Sequence, residues 1–266
     1  MKTVKGLHEK MGTFENANTS FHQAARCKRY TNEVLAFSMV KEEELLRATE
    51  EIQNLTYRQG EYKIFKVFEP KERLIMALPF YDRVVQHMIC NAIQPVFENG
   101  FYYHSYACRS GKGMHAASDT LYQWMYETEV KQGLRMYAFK GDISKYFASI
   151  PHDKLKDENR RYIGDKKALM LMDDIIDHNG ILPDGVGIPV GNLTSQLFAN
   201  VYGNKLDKFC KHVLHIPYFV RYMDDFIILS DDLEQLKEWV KRIEEFLENE
   251  MLLHINPKST ILYAGN

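Results

Sequence analysis

The spacing of apolar residues switches repeatedly between a helical and a strand period along this chain. Residues 41–54 (KEEELLRATEEIQN) predict a helix with Leu45, Leu46 and Ile52 on one side. Residues 81–97 predict a second, with Val84, Val85, Met88, Ile89 and Ile93 in register, and 114–130 and 166–178 two more, the last ended by Asn179-Gly180. A further helix runs from Gly191 to about Leu214, and 231–250 carry the clearest amphipathic pattern, with Leu233, Leu236, Val240, Ile243 and Leu247. Strand patterns occupy 62–68 and 74–78, joined across Glu69-Pro70-Lys71-Glu72 as a hairpin. Met136–Phe139 reads as a short strand running into Gly141-Asp142. The runs 218–222 and 226–230 form a second hairpin around Met223-Asp224-Asp225, and a last strand covers 259–263. The stretch up to Lys28 is polar with weak periodicity and reads as a helical arm or a mobile end. Helices and strands mix without βαβ alternation, which predicts an α+β fold.

Composition narrows this picture. The 266 residues are 45% apolar, enough for a large core. No apolar run is long enough to span a bilayer, and the N-terminus has no signal-peptide core, so a soluble, cytoplasmic protein without membrane partners is expected. The four cysteines (Cys27, Cys90, Cys108, Cys210) form no CxxC pair and read as reduced, structural thiols. Cys210, His212 and His215 lack a fourth ligand for zinc, and no GxxxxGK[ST], HExxH or GxSxG occurs. Charge is nearly balanced, with 17 basic and 16 acidic residues in 1–133 and 17 and 20 in 134–266. A nucleic-acid binder usually carries a basic excess. Any grip on a polyanion must therefore be local or come from a partner.

The residues that carry chemistry are acidic. Asp224 and Asp225 sit at the tip of the second hairpin, where their repulsion is unfavourable unless a cation offsets it. An ordinary turn, in which Asp is common, explains the pair equally well. Asp142 lies at the end of another β-like segment, although it also suits a helix N-cap. If the two strands are neighbours, three carboxylates converge on one sheet edge. Such a cluster holds two Mg²⁺ ions for an in-line phosphoryl displacement.

The order of motifs then becomes informative. Asp142 with Phe147 five residues on, Gly191-Asn192-Leu193-Thr194-Ser195-Gln196, Tyr222-Met223-Asp224-Asp225 and Asn256-Pro257-Lys258 follow one another as in reverse transcriptases. Upstream, Arg73-Leu74-Ile75-Met76-Ala77-Leu78-Pro79, Asp82-Arg83-Val84-Val85-Gln86 and Ser105-Tyr106-Ala107-Cys108-Arg109-Ser110-Gly111-Lys112-Gly113 resemble the fingers motifs of bacterial members. From about residue 60 onward the sequence resembles the bacterial reverse transcriptase family. Val190 in place of the usual Gln, and Ser195-Gln196 in place of Ser-Pro, resemble the type found in diversity-generating retroelements. Group II intron and antiviral reverse transcriptases share much of the same framework.

The resemblance implies a right-hand polymerase, bacterial or phage-encoded, with fingers and palm and with the thumb absent, since relatives continue beyond the point where this chain ends. It implies an N-terminal region and fingers in 1–133, a palm in 134–149 and 190–266, and a helical insertion in 150–189. The implied reaction is RNA-directed DNA synthesis with two Mg²⁺ ions, for which Mn²⁺ can substitute. Asp142 and Asp224 are the implied metal ligands, with the Ile143 carbonyl nearby and Asp225 less directly bound. Phe147 is implied to exclude a 2′-hydroxyl, Lys66 and Arg73 to clasp the triphosphate, and Lys258 to donate a proton to pyrophosphate. Val190, Gly191 and Gln196 are implied to border the nascent base pair, and the resemblance to the diversity-generating type, with an aliphatic residue at 190, implies errors concentrated at adenines. Implied partners are template RNA, primer, dNTPs and a small basic accessory protein. Two other functions fit the residues: a non-catalytic RNA-binding, partner-dependent fragment, and an antiviral synthase that is protein-primed or template-independent.

Overall fold

The computed structural model describes residues 3–68 and 72–263. In chain order its helices are α1 (Leu7–Met11), α2 (Phe14–Ala24), α3 (Asn32–Met39), α4 (Lys41–Gln53), α5 (Phe80–Glu98), α6 (Met114–Met125), α7 (Tyr146–Ser149), α8 (His152–Tyr162), α9 (Lys166–Asp177), α10 (Leu193–Lys208) and α11 (Leu233–Phe246). The strands are β1 (Lys63–Val67), β2 (Arg73–Ala77), β3 (Tyr137–Asp142), β4 (Tyr218–Tyr222), β5 (Asp225–Ser230) and β6 (Thr260–Tyr263). All pairings between these strands are antiparallel, and the fold is α+β as the apolar pattern predicts. The helices α6, α10 and α11 each run on into a turn widened to i→i+5 bonding, at Tyr126–Val130, Phe209–Val213 and Leu247–Met251. These turns account for the longer helices expected there. The expected turn at Glu69-Pro70-Lys71 lies outside the described residues. Among those described, no helix is long and apolar enough to cross a membrane.

The chain forms two compact units, each assembled from two stretches of sequence. One comprises Met1–Gly100 with His152–Phe198, the other Phe101–Pro151 with Ala199–Asn266. These groupings cut across the sequence segments: 101–133 joins the second unit, and 190–198 joins the first.

In the first unit the polar N-terminal stretch is packed rather than mobile. Leu7, Met11, Ala17, Phe21 and Ala24 are buried, and α1 and α2 lie on α5. Their buried face is built from small or widely spaced apolar residues, too sparse for periodicity to register. Asn16 adds polar anchorage, its Nδ2 donating to the Met88 carbonyl at 2.9 Å. In α4, Leu45 and Ile52 are buried with Ala48, while Leu46 faces outward at 52% exposure. The expected one-sided triad thus loses Leu46, because i and i+1 cannot share a narrow helical stripe. β1 and β2 pair as the predicted hairpin, with Lys66 opposite Leu74 and Val67 opposite Arg73.

The second unit is organised on a four-stranded sheet in the order β4-β5-β3-β6. The outer helices α6 and α11 pack on it. β5 is nearly all buried beyond its first residue, as befits an inner strand. Gly141 faces Phe226 across the β3–β5 ladder, and the Phe226 ring occupies the space a side chain at 141 would take: a Cβ there would lie 2.3 Å from Phe226 Cζ. The aromatic ring thus covers the bare glycine and fixes the local register. All four cysteines are free; Cys90 and Cys210 are buried, and Cys27 and Cys108 exposed. Burial pushes the Cys90 thiol up to about 12, well out of reactive range.

Candidate active site

β3 ends on Asp142, and the register sets it directly opposite Asp225, the first residue of β5. Opposed residues share a face of the sheet, so both carboxylates start from the same side. Between β4 and β5 the chain reverses through Met223-Asp224 alone. Met223 has φ +60°, the positive value that lets a two-residue hairpin follow the strand twist. On a side-chain-bearing residue this conformation costs about 1 kcal/mol. Arg221 Nη1 donates to the Met223 carbonyl at 3.0 Å and holds the turn. The Ile143 N–H donates to the Asp224 carbonyl at 3.1 Å, stitching the turn to the residue after Asp142.

The segment 254–259 closes on Asp142 from the other side. The Asn256 N–H donates to the Asp142 carbonyl at 2.7 Å, and Asn256 Nδ2 donates to Asp142 Oδ2 at 2.7 Å. The Asp142 N–H donates to Ser259 Oγ at 3.1 Å. Asn256 Oδ1 in turn accepts the Lys258 N–H at 3.1 Å, an Asx turn into which Pro257 fits. Asn256 is therefore a site residue to which sequence reading assigned no role. The Asn-Pro pair signals a turn, but no sequence pattern ties it to an aspartate 114 positions away.

Asp142 and Asp224 are half-buried and Asp225 is exposed. The expected convergence of three carboxylates is met by the strand ends and not by the side chains. Among the described residues, no three His, Cys, Asp or Glu side chains gather closely enough to hold a metal ion. Like charges repel, and one Asp142 oxygen is turned to Asn256. The donor set itself, carboxylate and carbonyl oxygens, suits a hard ion such as Mg²⁺.

Beneath the hairpin lies a buried ion pair that the sequence reading missed. Arg221 and Asp207 are both 0% exposed in their side chains. Arg221 Nε donates to Asp207 Oδ1 at 2.6 Å and Nη2 to Oδ2 at 2.7 Å, a bidentate fork. The remaining guanidinium hydrogens reach Asn200 Oδ1 at 3.3 Å and Ser105 Oγ at 3.2 Å. Burial pushes the Asp207 carboxyl up from its ordinary range, and the facing guanidinium opposes that shift. Gly203 makes room: a Cβ there would meet Arg221 Nη1 at 2.5 Å. The one available signal was an arginine inside the apolar run Phe219-Val220-Arg221.

Of the other candidates in this unit, Phe147 is half-buried and sits edge-to-face on Tyr146, with centroids 5.9 Å apart. Tyr146 is buried and donates its hydroxyl to the Ala199 carbonyl at 2.7 Å, and burial pushes that hydroxyl above the usual tyrosine range. The Lys258 side chain is exposed.

The first unit carries Lys66, Arg73, Val190, Gly191 and Gln196. Lys66 Nζ is engaged by Glu72 at 2.6 Å, with both side chains more than half exposed. The register separates the two hairpin cations: Lys66 shares a face with Leu74, and Arg73 shares the other with Val67. A single clasp by both, as expected from the sequence, therefore requires one side chain to wrap around the ribbon. Gly191 has φ +119°, and a Cβ there would lie 3.2 Å from both Ile75 Cγ2 and the Met76 carbonyl. Ile75 is on Arg73's face of the hairpin, so Arg73 is the cation on the Gly191 side. Val190 is half-buried, and Gln196 is exposed in the first turn of α10.

In fold, the chain is similar to solved telomerase structures. It matches that of apo telomerase from Candida tropicalis, truncated from its C-terminal domain, at TM-score 0.57 and 13% identity, over 79% of this chain and 51% of that one. It matches telomerase from Candida albicans in complex with a fragment of telomeric RNA at 0.57 and 10% identity, over 79% and 44%. The model of the family described as reverse transcriptase (RNA-dependent DNA polymerase) matches residues 66–263, and the chain belongs to that family. Among relatives, it is 28% identical over 134 residues to protein YkfC of Escherichia coli (strain K12), and 29% identical over 137 residues to an uncharacterised 91 kDa protein in the cob intron of Schizosaccharomyces pombe. Those matches span 48% and 50% of this chain but 34% and 16% of the relatives' own lengths.

Proposed function

We propose that the protein is an RNA-directed DNA polymerase that copies an RNA template into cDNA from a primer and dNTPs. The observation that carries this reading is Asp142 directly opposite Asp225, with the Asp224 carbonyl bonded to Ile143, in a chain of the reverse transcriptase family. Asp142, Asp224 and the Ile143 carbonyl are the groups that would hold two Mg²⁺ ions, with Asp225 beside them. Bound there, such ions would supply neutralisation of the charge that develops on a primer 3′-hydroxyl and on pyrophosphate. Asn256 orients Asp142 for this, and Arg221 fixes the hairpin that presents Asp224. In this reading Phe147 would set a flat ring against a 2′-hydroxyl, Arg73 and Lys66 would offer cations to a triphosphate, and the exposed Lys258 would donate a proton to pyrophosphate. The near-neutral charge favours a basic accessory protein as a further partner.

The test is extension of a primer on an RNA template with Mg²⁺ and dNTPs, beside an Asp224→Ala control. Template-directed product that disappears in the control supports the reading. Absence of product from folded protein overturns it in favour of a non-catalytic RNA-binding role.

The aliphatic Val190 beside Gly191 supports an error-prone enzyme of the diversity-generating type. An apolar contact constrains a mispair less than a hydrogen-bonding amide does. Sequencing the cDNA reads this directly: Val190→Gln is expected to lower misincorporation opposite adenine several-fold, and an unchanged error spectrum removes the idea.

A further inference from the structure

Both legs of the β1–β2 hairpin are tied to one short loop. On the β2 side the Met76 N–H donates to the Val190 carbonyl at 3.1 Å. On the β1 side Asn192, buried at 4% exposure, donates through Nδ2 to the Tyr62 hydroxyl oxygen at 2.9 Å. Tyr62 immediately precedes β1, and residues 190–192 immediately precede α10. The hairpin thus springs from two points fixed to Val190 and Asn192, with Gly191 between them against Ile75.

The Tyr62 hydroxyl is the hub of this arrangement. It accepts from Gln59 Nε2 at 2.7 Å as well as from Asn192, and donates to the His178 carbonyl at 3.0 Å. One donor and two lone pairs are therefore all used. Gln59 Oε1 accepts from Gln86 Nε2 at 3.1 Å, which carries the connection into α5. The ring stands against His178, with centroids 5.5 Å apart. Gly180, with φ +70°, lets Tyr62 and Met76 approach: a Cβ there would lie 3.0 Å from Tyr62 Cδ2 and 2.7 Å from Met76 Sδ. Burial pushes the hydroxyl up to about 12, so it remains a donor throughout the neutral range.

We infer that Tyr62 and Asn192 are positioning residues for the incoming nucleotide, holding the cation-bearing hairpin and the Val190–Gly191 loop as one body. The inference rests on the polymerase reading above. Neither side chain needs to touch the nucleotide. A loop displaced by a poorly fitting base pair shifts the root of the strand that bears Lys66, and Met76 transmits the same shift to the strand that bears Arg73. Grip on the triphosphate then depends on fit at the base.

Tyr62→Phe removes the hydroxyl and keeps the ring. The expected result is a rise in KM for dNTP of about five- to tenfold with kcat within about twofold of wild type, because a ground-state positioning bond is lost. Exchange of the Met76 amide hydrogen is expected to quicken in the same variant. Asn192→Ala should reproduce both effects, and the double variant should add little further, since the two residues share one bond. An unchanged KM in either folded variant overturns the inference and leaves the network a stabilising one. A raised KM with unchanged Met76 exchange, or additive effects in the double variant, also overturns it. If Tyr62→Phe does not fold, Asn192→Ala decides alone. A wild-type protein that extends no primer overturns the polymerase reading, and this inference with it. Active wild type with unaltered variants overturns the inference only.

Discussion

Replacing Arg221 with methionine should lower the unfolding free energy by about 3–5 kcal/mol, because it strands the Asp207 carboxylate in the interior. The side chain of Asp207 is 0% exposed and faces the guanidinium through both oxygens. Methionine fills much of the volume but offers no donor to Asp207, Asn200, Ser105 or the Met223 carbonyl. Denaturant unfolding measures the loss, and a change below about 1 kcal/mol would mean that the pair is not ionised as drawn. The double variant Arg221→Met/Asp207→Leu separates two roles of the arginine. Removing both charges should recover most of the stability, since a buried pair is often replaceable by apolar residues. It should not recover extension activity, because the bond from Nη1 to the Met223 carbonyl, which holds the turn bearing Asp224, is still missing.

A second large effect is expected from Asp142→Asn. The substitution keeps size and shape, and the new amide can still present an oxygen to Asn256 Nδ2, so the fold should hold within about 0.5 kcal/mol, as for a substitution that breaks no buried contact. What disappears is one negative charge at the position that would hold Mg²⁺. Charge stabilisation of this kind supplies several kcal/mol to the transition state, so primer extension should fall by at least about a thousandfold. Asn256→Ala should act more mildly, because it frees Asp142 Oδ2 without removing its charge. An Asp142→Asn enzyme within tenfold of wild type would remove Asp142 from the reaction.

The elements with strong local signals were legible in the sequence. The β4–β5 hairpin, α5 and α11 lie close to where apolar periodicity puts them, and Asp142 meets Asp225 as the strand reading required. Resemblance to a family suggested roles that periodicity cannot, for Phe147, Val190 and Lys258 above all, and these roles form part of the proposal. Three things stayed hidden for one reason: each depends on which residue faces which, and apolar periodicity along the chain does not specify that. The first is the N-terminal packing of Ala17 and Phe21 against α5, whose few apolar residues look polar until their partner is known. The second is the Arg221–Asp207 pair, since a charged residue in a strand is read as exposed until its counter-charge is found. The third is the opposite facing of Lys66 and Arg73, which a hairpin prediction leaves open because a one-residue change of register reverses it.

The bonds from Asn256 and Ser259 to Asp142 have a consequence for how the molecule comes into being on the ribosome. A chain emerging at about 5–20 residues per second exposes β3 well before 254–259 are made. Until those residues leave the exit tunnel, Asp142 lacks the amide that orients it, and β3 lacks its β6 neighbour. Both compact units also wait on late sequence, since each is completed by a segment that follows part of the other. The nascent protein therefore passes through a period in which Asp142, Asp224 and Asp225 are synthesised but Asp142 still lacks its orienting amide.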